Sequence, residues 1–263
     1  MSTLKRYNSG TAEWERVLGS FGGASFFKSN VMMNSDFKVW QNGTSFVNQD
    51  YMTTADRWVF AGEASTAGSE VSRSTDVPNS NYAYSLRFDA NGTVASDWGS
   101  HIRYAIEGPD LIPLFGKRCV YSFWFKTNKT GTHSIGFSNS NDRTYIAEFT
   151  VNSADTWEFK EVEVPFDTLS GGTWTTGEGT LGMKIRMNYK VSTAGVGTAG
   201  VWNNGNFVGS VNQVNLYSST SDYCLMTGIQ FHPGTKAQPF VSRPYHEELA
   251  ACMRYQQVFD IND

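Results

Sequence analysis

The chain has 263 residues, of which 40% are hydrophobic and 17% are charged, so it can bury a core but has few of the charged residues that favour helices. Its formal net charge is −4, and no Lys or Arg run exceeds two residues, which excludes an extended phosphate-binding surface and makes nucleic acid an unexpected partner. No segment reaches the roughly 18 apolar residues of a membrane span, and the N-terminus lacks the apolar centre of a signal peptide. We therefore expect synthesis in a cytoplasm and no membrane insertion.

The first 33 residues follow a different pattern from the rest of the chain. Trp14, Val17, Leu18 and Phe21 have the i, i+3, i+4, i+7 spacing of one helical face. We predict that residues 1–33 form a helical arm. Its four apolar side chains either pack on their own domain or serve attachment or oligomerisation by docking on a neighbouring subunit or another part of a particle.

From residue 34 to 263, short strands separated by turn residues predict one antiparallel β-sandwich domain. Residues 183–189 alternate strictly, so we expect Arg186 and Asn188 to face water while their neighbours face the core. Residues 119–125 are apolar on both faces, as expected of a central strand covered on both sides. Further strands are predicted at 57–62, 69–74, 83–88, 102–106, 132–137, 144–151, 156–165 and 223–231.

Two local features complete the predicted architecture. In strand 156–165 the apolar parity changes between Phe159 and Val162, which predicts a bulge near residues 160–161. Pro244 can open a short C-terminal helix with Leu249, Cys252, Met253 and Gln256 on its inner face, capping one end of the sandwich. Long loops rich in Gly, Asn, Ser and Thr are expected at 89–100, 167–180 and 192–213.

The sequence contains no recognisable catalytic or metal-binding motif. None of the four histidines lies at a zinc-ligand spacing, and the three cysteines lack a C-x-x-C pair. We therefore expect no cofactor, no metal and three buried thiols. The carboxylates worth naming are Asp97, Glu161 and Glu163. A glycan depolymerase would need two such groups in opposed roles, and this enzyme is the less favoured alternative to a non-enzymatic protein.

Aromatic residues are the more informative population. They make up 14% of the chain and include eight tryptophans. Trp98, Trp174 and Trp202 each lie in a predicted loop, and Asp97 precedes the first of them. Indole faces stack on sugar rings while neighbouring polar groups bind hydroxyls. These four residues are therefore candidate glycan-binding residues, and the alternative is that the tryptophans pin their loops to the sandwich.

Two stretches carry a resemblance to a known family. They are NSDFKVWQNGTSF (34–46), followed by TTADRWVF (53–60), and YCLMTGIQFHPGTKAQPFVSRPYHEELAACMRY (223–255). Both resemble the jelly-roll, carbohydrate-binding-module-like domain of tailed-bacteriophage tail fibre and virion structural proteins. The resemblance covers residues 34–257. His232 and His246 depart from it, where the family usually has an acidic residue and a glycine, which puts any metal assigned there by analogy in doubt.

The resemblance implies a jelly-roll sandwich carried on the virion, often as a homotrimer, without catalytic residues. It implies a tail fibre or receptor-binding protein that contacts host surface glycans and joins other virion proteins through residues 1–33. The alternative is a head-fibre or decoration protein that is anchored to the capsid by the same arm.

Overall fold

The protein is described by a computed structural model that covers residues 30–49, 51–62, 68–92, 99–140, 142–165 and 173–258, together with the backbone of residues 5–8 and 13–16. The described helices are α1 (Gly108–Leu111) and α2 (Tyr245–Met253), with 3-10 turns at Ile112–Leu114 and Thr193–Gly195. No helix in these ranges is long and apolar enough to cross a membrane. The strands are β1 (Lys5–Asn8), β2 (Glu13–Arg16), β3 (Ser45–Val47), β4 (Met52–Thr53), β5 (Trp58–Gly62), β6 (Ser69–Ser74), β7 (Ser85–Ala90), β8 (Ser100–Glu107), β9 (Arg118–Thr127), β10 (Gly131–Ser138), β11 (Arg143–Val151), β12 (Glu158–Pro165), β13 (Leu181–Lys190), β14 (Trp202–Asn204) and β15 (Tyr223–Pro233).

Two large sheets form the sandwich. One has seven strands in the order β14-β11-β10-β13-β8-β5-β4, and the other has six in the order β12-β9-β15-β7-β6-β3. The paired strands within both sheets are antiparallel. From β7 to β13 the chain crosses repeatedly between the sheets, which is the winding of a jelly roll. The predicted antiparallel jelly-roll sandwich is confirmed, and each predicted strand segment overlaps an observed strand, although the bounds differ by up to two residues, as for 83–88 against Ser85–Ala90.

The core lies between the sheets and is rich in aromatic rings. Phe88 of the six-stranded sheet stacks on Tyr189 of the seven-stranded sheet, with ring centroids 4.0 Å apart. Trp58 contacts Tyr104 at 5.0 Å. The strands at 102–106 and 119–125 both contribute side chains to this core. The alternation in the sequence therefore predicted the inward faces correctly.

The outward face of β13 differs from the prediction. Arg186 and Asn188 are only 5% and 1% exposed, because the loop at 192–213 covers them. Arg186 donates to the carbonyl oxygen of Phe207 (2.9 Å), and Asn188 donates to that of Val208 (2.6 Å). The expectation that these two side chains face water is wrong, since a folded loop takes the place of solvent.

The C-terminal helix α2 is confirmed, and Pro244 precedes its first residue. Its predicted inner face is only partly right: Cys252 is buried, but Met253 is 38% exposed. The other buried residue of α2 is Glu248, which accepts hydrogen bonds from the backbone N–H of Asn34 (2.6 Å) and from Arg243 (3.1 Å). An apolar pattern could not indicate that a carboxylate faces inward to bind a backbone donor.

The helical arm predicted at the N-terminus is not confirmed. Glu13–Arg16 form β2, which pairs antiparallel with Lys5–Asn8, so that Trp14 lies opposite Tyr7 in a strand. Val17, Leu18 and Phe21 lie outside the described residues. A partner strand supplied the hydrogen bonds that a helix would have made locally. The division into an arm and a sandwich at residue 33 stays a prediction.

The bulge predicted in β12 is absent from this strand, which pairs with β9 in continuous register from Glu158 to Pro165. The change in apolar parity has another cause. Phe159 is 43% exposed and packs on Trp124 at 5.4 Å, whereas Val162 faces the core. Apolar side chains occur on both faces of one regular strand.

Candidate functional site

Two of the predicted glycan-binding residues lie together. The rings of Trp174 and Trp202 meet edge to face, with centroids 5.6 Å apart and an interplanar angle of 87°. Both are partly buried and pack against the core. Asp97 and Trp98 lie outside the described residues. The aromatic pair therefore marks one place on the sandwich where predicted residues converge.

Trp202 joins the edges of the two sheets. It begins β14, whose backbone pairs with β11 of the seven-stranded sheet. Its indole Nε1–H donates to the carbonyl oxygen of Pro165 at 2.6 Å, and Pro165 ends β12 of the six-stranded sheet. Its ring also packs on Tyr145, with centroids 5.5 Å apart. The contacts of Trp202 explain why this loop tryptophan has a fixed position.

An open groove of about 460 Å³ lies beside this contact, between the sheet edges; we call it the edge groove. Tyr145 and Ala147 of β11 line one side and Val162 of β12 lines the other. The loop residues Ala199 and Gly200 also line the edge groove. The groove is also lined by three carboxylates, Glu148, Glu161 and Glu163.

Basic side chains compensate two of these carboxylates. Lys236 donates to Glu161 at 2.7 Å, and with the backbone N–H of Ala237 it holds the pKa of Glu161 below its usual range. Arg118 pairs with Glu163. Burial, helped by the charge of Glu163, raises the pKa of Tyr145, so its hydroxyl stays protonated at neutral pH. The groove thus combines a phenol with ion-paired carboxylates.

A second groove of about 420 Å³ lies under the loop at 196–212; we call it the loop groove. It adjoins the edge groove, because Glu148 and Ala199 line both. Asn212 Nδ2 donates to Glu148 Oε1 at 3.1 Å. Ser210 also lines this groove and is 2% exposed, and its Oγ has no hydrogen-bond partner among the described residues. The remaining lining residues are Val196, Gly197, Thr198, Asn203, Phe207 and Val211.

Sequence reasoning missed most of these groove residues. The alternation of β11 could have shown that Glu148 faces away from the core, because Phe149 and Ala147 face inward. Asn212 was visible only as one of many amides in a predicted loop. Their convergence depends on strand register between distant segments, which a local pattern does not contain.

The described residues contain no group of three or more His, Cys, Asp or Glu side chains that could hold a metal ion. His232, one of the two departures from the family pattern, is 2% exposed on β15. The three cysteines are buried and free, as predicted.

No family model matches the sequence, and no curated protein matches it either. Among solved structures, a putative sugar binding protein from Bacteroides thetaiotaomicron has a TM-score of 0.47 at 11% identity, covering 78% of this chain and 100% of that one. A family 11 carbohydrate-binding module from Clostridium thermocellum, in complex with a β-1,3-1,4-mixed-linked tetrasaccharide, has a TM-score of 0.35 at 14% identity. The match covers 74% of this chain and 98% of that one. The enzymatically active domain of bacteriophage CBA120 tailspike protein 4 has a TM-score of 0.42 at 15% identity, covering 78% of this chain but 21% of that one.

Proposed function

We propose that this chain is a non-enzymatic glycan-binding protein of a bacteriophage virion and that the edge groove and the loop groove together hold the saccharide. One observation carries the proposal: the two grooves adjoin at Glu148 and Ala199. A short oligosaccharide could therefore lie across both. Each groove also falls in the range of about 300–1,000 Å³ that is usual for small-molecule sites.

The groups in the grooves suit sugar hydroxyls. Glu148 accepts hydrogen bonds, Tyr145 can donate one, and the buried hydroxyl of Ser210 can do either. A buried polar atom without a partner costs about 1–3 kcal/mol, so a ligand hydroxyl that reached Ser210 Oγ would gain that amount. Phe207 and the exposed Val211 supply apolar surface for the faces of the sugar rings.

The same geometry supports binding over hydrolysis. A glycan depolymerase needs one carboxyl group with a raised pKa beside an ionised one. The pKa of Glu161 is instead lowered by Lys236, and Glu163 is paired with Arg118. Because the pKa of Glu161 is lowered and Glu163 is ion-paired, neither of these two carboxylates suits the role of general acid, so we propose a binding role.

A glycan array probed with the purified chain tests the proposal, followed by calorimetry with the best ligand. We expect Glu148→Gln and Trp202→Phe each to weaken binding about tenfold, because each removes one hydrogen bond to the ligand or to the groove wall. Glu70→Gln and Trp157→Phe are matched controls away from the grooves. Trp98→Ala belongs in the same panel, because Trp98 is a predicted glycan-binding residue.

Two results would contradict the proposal. One is a glycan array on which the purified chain binds no glycan, and the other is wild-type affinity in both Glu148→Gln and Trp202→Phe. Release of reducing sugar from a bound glycan, lost in Asp97→Asn, would instead support the depolymerase.

The virion assignment is supported by the resemblance of residues 34–46 and 223–255 to tailed-phage proteins. We propose a tail fibre or receptor-binding protein that is made in the host cytoplasm, assembles as a homotrimer and joins other virion proteins through residues 1–33. Deleting residues 1–33 should abolish incorporation into particles, and normal incorporation would refute this attachment. Labelling at the capsid instead of the tail, seen by cryo-electron microscopy, would favour the alternative of a head-fibre or decoration protein.

A further inference from the structure

Asparagine is followed directly by glycine at three places in the sequence, residues 42–43, 91–92 and 204–205. Glycine has no Cβ to crowd its backbone nitrogen, so this nitrogen can reach the side-chain carbonyl carbon of the asparagine before it. That approach is the first step of deamidation, in which an asparagine loses its amide nitrogen. All three asparagines are exposed, so exposure alone does not distinguish the three pairs.

Backbone hydrogen bonds distinguish two of the pairs from the third. The N–H of Gly92 donates to the carbonyl oxygen of Gly68 at 3.1 Å, and the N–H of Gly205 donates to that of Asp142 at 2.8 Å. Each of these nitrogens is therefore held by the fold and directed away from its asparagine. Deamidation at either pair first requires the loss of a hydrogen bond through local opening.

The backbone nitrogen of Gly43 is not held in this way. Its N–H donates no hydrogen bond to another described residue. A Cβ placed on Gly43 would have no atom within 4 Å, so the space around this residue is open. Its φ is +111°, a conformation that other residues rarely adopt, so the backbone of this turn itself requires glycine after Asn42.

We propose that Asn42 is a site of spontaneous deamidation in the folded protein. The Gly43 nitrogen loses its proton to water and attacks Cγ of Asn42. The new C–N bond closes a five-membered succinimide ring, and Nδ2 leaves as ammonia. Water then adds to one of the two ring carbonyl groups and opens the ring, which gives either aspartate or isoaspartate. One water is consumed, one ammonia is released and nothing is oxidised or reduced.

The modified turn lies between two anchored residues. The N–H of Gln41 donates to Oδ1 of the buried Asp56 at 2.8 Å, and the carbonyl oxygen of Thr44 accepts a hydrogen bond from the N–H of Arg73 at 2.9 Å. Isoaspartate adds one bond to the main chain between these anchors, whereas aspartate leaves its length unchanged. We therefore expect isoaspartate at residue 42 to weaken at least one anchor, an effect that Asn42→Asp does not have.

Incubation of the purified full-length chain in heavy-oxygen water tests the site. Mildly alkaline pH favours the reaction because the attacking nitrogen must lose its proton, and each ring opening leaves one labelled oxygen in the new carboxylate. Peptide mass spectrometry then measures the label at all three asparagines in one sample. We expect Asn42 to react at least about tenfold faster than Asn91 and Asn204, because each of those must first lose a hydrogen bond. In urea, where the fold is lost, the three rates should become similar.

Matched variants complete the experiment. Asn42→Gln keeps an amide at the turn but requires a larger ring, so labelling of residue 42 should be lost while that of Asn91 and Asn204 is unchanged. Hydrogen exchange at Gln41 and Arg73 should be faster in the isoaspartate fraction than in Asn42→Asp, and equal exchange would refute the effect on the anchors. Labelling of Asn91 or Asn204 as fast as that of Asn42 in the folded chain, or no label at residue 42, would overturn the proposal. Neither result depends on whether the grooves bind a glycan.

Discussion

Buried His133 should make the stability of this protein depend on pH. The side chain is fully buried on β10, where its ring stacks on Phe149 with centroids 5.4 Å apart. Its Nε2 lies 3.2 Å from the carbonyl oxygen of Lys129, and its Nδ1 has no partner among the described residues. Burial lowers the pKa of His133 from 6.5 to about 4, although the bond to Lys129 acts in the opposite direction. The folded protein therefore keeps this imidazole neutral.

The size of the effect follows from the difference between the two pKa values. His133 binds a proton near pH 6.5 in the unfolded chain and near pH 4 in the folded chain. The free energy of unfolding therefore falls as the pH falls between these two values. Between about pH 7 and pH 5 the free energy of unfolding should drop by about 2 kcal/mol from His133 alone. His101 acts with the same sign, because its pKa is also lowered. A comparison of the wild type with His133→Gln isolates the contribution of His133 to this pH dependence.

Urea unfolding at three pH values between about 7 and 5 measures this effect, because most Asp and Glu groups titrate below that range. The Gln side chain can still donate to the Lys129 carbonyl oxygen, but it does not titrate. We expect the stability of His133→Gln to vary with pH by about 2 kcal/mol less than that of the wild type. His246→Gln is the control, because the side chain of His246 is 82% exposed. Identical pH slopes in wild type and His133→Gln would refute the reasoning.

Two further substitutions test the core and the covering loop. Phe88→Ala should lower the free energy of unfolding by about 3–5 kcal/mol, because Phe88 is fully buried against Tyr189; the exposed Phe159→Ala is the control, and an equal loss in both would contradict this account of the core. Gly136→Ala should weaken hydrogen-exchange protection of the Val208 amide, because a Cβ at residue 136 would lie 2.6 Å from the Val208 carbonyl oxygen. Gly177→Ala is its control, since the nearest atom there is 3.5 Å away, and full protection in Gly136→Ala would argue against close packing of the loop on the sheet.

The strands were predictable from the sequence because burial between two sheets imposes a period of two. The segment from Met183 to Tyr189 shows both the strength and the limit of this argument. Its apolar residues face the core as predicted, but its polar residues are covered by a loop. Arg186 and Asn188 were predicted to be exposed because alternation indicates only which side of the sheet a residue faces. Whether water or protein lies there depends on contacts with Phe207 and Val208, which are 21 and 20 residues further along the chain than their partners.

The N-terminal segment shows how a short apolar spacing can mislead. Trp14, Val17, Leu18 and Phe21 match one helical face, but four positions over eight residues do not contain the information that a partner strand supplies. Lys5–Asn8 pair antiparallel with Glu13–Arg16, and this pairing satisfies backbone groups of both strands. A helical spacing of apolar residues contains no information about which other segment could pair with them as a strand.

The candidate site was predictable only in part. Trp174 and Trp202 were recognisable as aromatic residues in polar loops, and they lie in contact. The groove beside them lies between segments that are distant in the sequence, as are Trp202 and Pro165, which are hydrogen-bonded although they are 37 residues apart.

The covering loop joins the loop groove to the sheet beneath it. Phe207 lines the loop groove and accepts a hydrogen bond from Arg186 with its backbone carbonyl oxygen. If the loop lifted, Arg186 would lose its bonds to Phe207 and Asn206 at the same time as the loop groove lost its wall. A substitution beneath the loop, such as Gly136→Ala, should therefore weaken binding in the loop groove.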